Sequence, residues 1–165
     1  MDKSGKERLL IKQDVYNELI AWCLKDLAKE ACGILGAKKS IERTENRQKV
    51  IAEGDFLAGQ GRAIEKIFPL TNISDSPKLC YHIDPKEQLA VFKELRQQEL
   101  ELTAIYHSHV DSPAYPSARD IELAFYPESS YIIVSLSNPK APVARSFRIV
   151  EGKIEEEELE IVAGA

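Results

Sequence analysis

The stretch "IYHSHVDSPAYPSARD", residues 105–120, sets His107 and His109 one residue apart and follows them with Ser117 and Asp120. Side chains two apart on a strand share a face, with Cα atoms roughly 6.5–7 Å apart, so both imidazoles can converge on one metal ion. A carboxylate must complete such a set. Asp111 continues the strand face, yet four residues from His107 its Cα would stand roughly 13 Å away, too far for a side chain that must reach within about 2.0–2.2 Å of zinc. Asp120 can instead be carried back by the turn through Asp111, Ser112, Pro113 and Pro116. Each part also has a plainer use: Ser-x-x-Asp before an apolar run starts a helix, and a strand histidine is often structural.

Two histidines, a carboxylate and an open coordination position suit either catalytic zinc or the facial triad of a non-haem iron oxygenase. Zinc hydrolysis further needs a general base, whereas iron oxygenation needs room for O₂ and a cosubstrate. Glu30 is the spare carboxylate, at the junction between a helix and the apolar stretch "ACGILGA". Cys32 shares its strand face with Glu30, which makes a thiolate ligand conceivable, although the ligand set is complete without it. His82 reads as a local or rim residue. Ser108 faces away from the histidines by alternation and lacks an argued base, which disfavours serine hydrolysis.

The elements that must position these residues follow from periodicity. "DVYNELIAWCLKDLAK", 14–29, predicts an amphipathic helix with Asp14 as N-cap and with Trp22 and Cys23 in the core. "ACGILGA" predicts a buried strand, residues 38–60 a long loop or loose hairpin, and "RAIEKIFPL" and "LCYHID" two extended pieces around the turn residues "TNISDSP". In "DPKEQLAVFKELRQQ", Asp84 caps, Pro85 takes the first helical position and Leu89, Phe92 and Leu95 mark the buried side. Beyond it come a strand ending in His109, a short helix from Ser117, the strand "SYIIVSLSN", and two strands paired through Gly152. This alternation predicts one layered α/β domain spanning residues 1–165.

Composition agrees with a globular chain: 165 residues, 44% hydrophobic and 30% charged, which is neither disordered nor membrane-like. There is no apolar run of about 20 residues and no signal-like core at the N-terminus, so a soluble, cytoplasmic protein is expected. Cys23, Cys32 and Cys80 are odd in number and far apart, which argues for reduced thiols. Net charge is −5 with scattered basic residues, which disfavours nucleic acid as a partner. The acidic run "EGKIEEEELEI" reads as a solvated strand edge or tail.

Glu30, "HSH" at 107–109, seven residues, Ser117, two residues and Asp120 resemble the JAMM motif of the MPN-domain metallopeptidases. "EACGILGA", "IFPLTNISDSP" and "YHIDPKEQL" resemble further segments of that family, and the likeness runs over roughly residues 12–138. Val110 departs from it, standing where many members have Pro. The resemblance implies a cytidine-deaminase-like fold with a mixed sheet flanked by helices. It also implies one Zn²⁺ per chain held by His107, His109 and Asp120, with Glu30 as general base and then acid and Ser117 as hydrogen-bond donor to the oxyanion. The wording "HSHVDSPAYPSARD" is most similar to small stand-alone prokaryotic members. That implies hydrolysis at the Gly-Gly tail of a ubiquitin-like sulfur-carrier protein. A non-catalytic MPN scaffold that binds partners is the alternative from another class, and an iron oxygenase a more remote one.

Overall fold

The computed structural model describes residues 8–39 and 63–164; beyond Lys39, the loop or hairpin expected at about 38–60 lies outside the described residues. The elements in chain order are β1 (Arg8–Lys12), α1 (Gln13–Leu24), β2 (Cys32–Lys38), β3 (Lys66–Leu70), α2 (Pro85–Gln97), β4 (Leu100–His109), α3 (Ala118–Glu122), β5 (Ser130–Ser135), β6 (Val143–Val150) and β7 (Lys153–Val162). The strands form one mixed sheet in the order β1-β7-β6-β5-β4-β2-β3. Its two edges meet at a parallel bridge between Ile11 and Ile64, so the sheet curls back on itself.

Two pairings place the chemistry. β2 runs antiparallel to β4 with Cys32 opposite His107, which brings the chain just before β2, and hence Glu30, to the end of β4. β4 and β5 run parallel. A parallel pair needs a crossover that travels back along the sheet, and α3 lies on that crossover.

Alternation along β4 divides the core. Ala104 and Tyr106 face the cluster containing Val15, Leu19 and Cys23 of α1. Ile105, on the other face, joins Cys32, Tyr81, Tyr131, Ile133 and Phe147. Beside them Ile34 and Phe68 pack under Val91 and Leu95 of α2. His107 and His109 share the face of Ile105, under α2 and α3 rather than α1. Gly33 is required by close approach: a Cβ there would lie 2.5 Å from the Phe68 carbonyl oxygen and 2.5 Å from the Tyr106 ring.

Several local expectations change. The first helix stops at Leu24, because Asp26 Oδ1 accepts the Ala28 amide and turns the chain out of the helix. Its N-cap is Lys12 rather than Asp14, whose carboxylate accepts the Val15 amide from within the first turn. Cys23 is buried, but Trp22 is 39% exposed and lies beneath the Lys25 ammonium. On α2, Asp84 does cap by accepting the Lys86 amide. Leu89, however, is 67% exposed, since at about 100° per residue it stands nearly opposite Val91. "LCYHID" contributes only the bridge of Ile83 to Asn72. The acidic β7 is not an edge: β1, a strand the sequence reading did not identify, pairs along it, and Glu157 is buried accepting the Ser146 hydroxyl. The turn at Gly152 is present, with φ 77°.

Candidate metal centre

Two structural devices deliver the cluster residues. His107 and His109 come from alternate positions at the end of β4 and are almost fully buried. Asp120 comes from the first turn of α3, where a capping box holds it: Ser117 Oγ accepts the Asp120 amide at 3.1 Å, and Asp120 Oδ2 accepts the Ser117 amide at 2.9 Å. That same Oδ2 lies 3.2 Å from His107 Nε2 and 3.1 Å from His109 Nε2. The two Nε2 atoms are themselves 3.1 Å apart. Among the described residues these three form the one buried group of potential metal ligands.

The donor set fits a small divalent cation. Tetrahedral bonds of 2.0–2.1 Å put neighbouring ligand atoms roughly 3.3 Å apart, close to the spacing of this triangle. His109 Nδ1 donates to the Pro113 carbonyl at 2.8 Å, which fixes the ring's orientation and leaves Nε2 as the atom that faces the cluster. His107 Nδ1 has no partner among the described residues. Its ring is instead stacked on Tyr81, with centroids 4.4 Å apart and an interplanar angle of 24°.

Charge follows burial and contact. Burial pulls His107 below its ordinary value against the opposing influence of Asp120, which keeps the ring neutral, as a ligand must be. Burial also works against a charged His109, but its bonds to Asp120 and the Pro113 carbonyl outweigh it and raise the pKa. For Asp120, burial alone would raise the pKa; the hydrogen bonds from both histidines prevail and hold the carboxyl well below the usual range.

Glu30 is 4% exposed, and its Oε2 has no hydrogen-bond partner among the described residues. Burial pushes its pKa up to about 8; the His109 charge acts against this and the Asp120 charge with it, so the carboxyl sits within electrostatic reach of the cluster. Its backbone is pinned on both sides: the Glu30 amide donates to the Pro77 carbonyl at 2.6 Å, and Asn72 Nδ2 donates to the Glu30 carbonyl at 3.0 Å.

The structure thus brings Glu30, His107, His109, Ser117 and Asp120 to one end of β4. Asp111 does not join them; its side chain is 75% exposed and meets Lys78 at 3.2 Å. Cys32 adjoins His107 in register, but burial pushes its thiol up to about 12 and it donates to the Leu70 carbonyl at 3.7 Å, a packing role. Ser108 turns away and accepts the Ala31 amide at 2.8 Å. His82 is exposed at the rim of a neighbouring cavity. Sequence reasoning missed Tyr81 and the bracing role of Asn72. The cue for the second was an Asn within a run of turn residues; nothing in the pattern of "LCYHID" marks Tyr81 as a platform for His107.

The comparisons with known proteins agree with this geometry. The family model of prokaryotic homologs of the JAB domain matches residues 12–150. The CysO-cysteine peptidase of Mycobacterium tuberculosis is 32% identical over 154 residues, covering 93% of this chain and 91% of that protein. A probable TtuB-protein conjugate cleaving protease of Thermus thermophilus is 38% identical over 101 residues, 61% of this chain and 64% of that one. A solution structure from Desulfitobacterium hafniense superposes with a TM-score of 0.74 at 33% identity, covering 94% of each chain. A JAB1/MPN domain protein of Archaeoglobus fulgidus, 14% identical with a TM-score of 0.54 over 94% of this chain and 98% of its own, shares the fold. The mixed sheet, the cluster on β4 and α3, and a family match along most of the described sequence converge on one assignment: the chain belongs to the prokaryotic homologs of the JAB domain.

Proposed function

We propose that this protein is a cytoplasmic zinc metallopeptidase, one domain over residues 1–165 with one zinc per chain. It hydrolyses the bond that joins a cysteine, a short extension or a conjugated protein to the Gly-Gly tail of a ubiquitin-like sulfur carrier. The observation that carries this reading is the pairing of a buried His107–His109–Asp120 triangle with a buried, unpartnered Glu30 carboxylate oxygen. A scaffold has no use for that combination, and an oxygenase has no use for the base. Relatives named as a CysO-cysteine peptidase, a TtuB-protein conjugate cleaving protease and a desampylase support the substrate class. No described helix is long and apolar enough to cross a membrane.

His107, His109 and Asp120 are the residues that would hold the zinc. Bound there, the ion supplies Lewis acidity, which acidifies water and polarises the scissile carbonyl. Glu30 does the proton work. Burial raises its pKa, and a cation held beside it would favour the carboxylate form that a base requires. Glu30 takes the proton of the attacking water and returns it to the departing amine. Ser117 can serve both the helix and the reaction: the cap uses a lone pair of Oγ, which leaves the hydroxyl hydrogen for the oxyanion.

The test is incubation of purified protein with a sulfur-carrier protein extended beyond its Gly-Gly, read by mass spectrometry with and without a chelator. Chelator-sensitive cleavage after the second glycine is the expected result. An intact substrate in the presence of stoichiometric zinc would return the protein to the scaffold reading.

A further inference from the structure

Asn72, in the segment between β3 and α2, uses its whole side chain. Its Nδ2 donates to the carbonyls of Glu30 at 3.0 Å, Cys80 at 3.1 Å and Pro77 at 3.3 Å, and its Oδ1 accepts the amides of Ser74 and His82, each at 3.0 Å. Both amide hydrogens and both oxygen lone pairs are thereby engaged. Asp would lack the donors, and Ser would lack the reach to serve two sides at once. The turn alone needs only the bond to the Ser74 amide. The bond to Glu30 does something else, since it joins residues 42 apart in sequence.

Cys80 and His82 flank Tyr81, so Asn72 holds the backbone on either side of the ring that stacks on His107. In the other direction Asn72 holds Glu30, and the next residue, Ala31, is tied to β4 between the two histidines. The Ala31 amide donates to Ser108 Oγ at 2.8 Å, and the Ser108 amide donates to the Ala31 carbonyl at 3.0 Å. These contacts close a ring: from His107 through Ser108, Ala31 and Glu30 to Asn72, and back through Tyr81 to His107. Glu30 Oε2 and His107 Nδ1 are both buried without a partner among the described residues. Neither atom is fixed by a hydrogen bond of its own there, so each depends on the backbone and ring contacts that this circuit supplies.

The geometry points to Asn72 as the positioning residue that closes this ring and keeps Glu30 and the Tyr81 platform in fixed relation to the histidines. The Glu30 arm rests on the proposed peptidase reading; the Tyr81 arm does not, because it bears on metal binding alone. The effect of Asn72 is indirect, on turnover through Glu30 and on metal affinity through Tyr81. A misplaced base is costly, since an error of about 1 Å is worth about 10²-fold in rate.

The test is a pair of double-mutant cycles on the full chain. Asn72→Ser keeps an oxygen for the Ser74 amide and loses the reach to residues 30 and 80; Asn72→Asp keeps the size and the acceptor and loses the donors. Zinc affinity, read by competition with a chromophoric chelator, is expected to fall roughly tenfold in either variant, and in the Tyr81→Leu background by no more than about threefold. With zinc in excess, kcat on a Gly-Gly-extended sulfur carrier should fall about tenfold or more while KM stays within about threefold. In the Glu30→Gln background the same substitutions should change turnover by no more than about threefold. Thr71→Ala, which gives up an exposed bond to Glu87 from the adjacent position, should keep both affinity and turnover. A merely structural role would give losses that add. Additive losses in either cycle, or variants with wild-type affinity and turnover, would overturn the assignment; so would failure of both variants to fold, which would make Asn72 a residue of stability. Absence of cleavage by the wild type would instead overturn the peptidase reading, and the zinc cycle would then decide the ring alone.

Discussion

Asp120 Oδ2 accepts the Ser117 amide at 2.9 Å and, from the same atom, stands 3.1 Å from His109 Nε2. The bond that starts α3 therefore also aims the Asp120 carboxylate at the two histidines. Replacing Asp120 by Ala should abolish tight zinc binding, whereas Asp111→Asn should leave zinc content unchanged because the Asp111 carboxylate is exposed and meets Lys78 at the surface. Metal analysis of the two purified variants checks this. Loss of zinc in Asp111→Asn would mean that the wrong aspartate has been placed in the set.

Tyr81 supports His107 by stacking, in the absence of a protein partner for His107 Nδ1 among the described residues. Tyr81→Phe keeps the ring and should bind zinc within about threefold of wild type. Tyr81→Leu removes it and should weaken binding roughly tenfold or more, the low end of what support of a metal-bound histidine contributes. Competition with a chromophoric chelator reads both. Equal affinities for Phe and Leu would reduce Tyr81 to a filler of space.

Much of this site was legible before the fold was known, because its elements are local. Alternation places His107 and His109 on one face, and Ser-x-x-Asp is a helix start whether or not it also holds a metal. Glu30 was found for a weaker reason, its place at a strand entrance; its proximity to the cluster depends on the antiparallel register of β2 and β4, a long-range fact no local pattern contains. Tyr81 was invisible for the same reason, since its contact with His107 joins an irregular loop to a strand. The misplacement of β7 at a sheet edge has a related cause. "RLLIK" is five residues long, and only its pairing with Glu158–Val162 turns it into β1.

Glu30 should set a pH dependence on the stability of chelator-treated protein. Its folded pKa of about 8 lies above the ordinary value of 4.5 because burial disfavours the charge. Between those values the folded state holds a proton that the unfolded state has released. The stability tied to Glu30 is therefore complete below the lower value and is lost as pH rises through the upper one. Urea unfolding of wild type and Glu30→Gln at pH 5 and pH 8 should show a steeper decline for wild type. Parallel declines would place the carboxyl in water.

Gly33→Ala tests the packing of β2 against its neighbours. The added methyl would press on the Phe68 carbonyl oxygen and the Tyr106 ring, both at 2.5 Å, and backbone cannot yield cheaply there. A loss of about 1–3 kcal/mol is expected from overpacking, read by denaturant unfolding. A neutral result would show that β2 and β3 can separate without cost.

The central claim, that Glu30 performs the proton transfers for a metal held by the other residues, is tested most directly by one paired measurement. Wild type and Glu30→Gln, with zinc content determined on the same samples, are assayed for cleavage of a Gly-Gly-extended sulfur carrier. The account predicts equal zinc and a fall in kcat of about 10²–10⁴-fold for Glu30→Gln, the usual contribution of a general acid–base group. Equal zinc with undiminished turnover would contradict it.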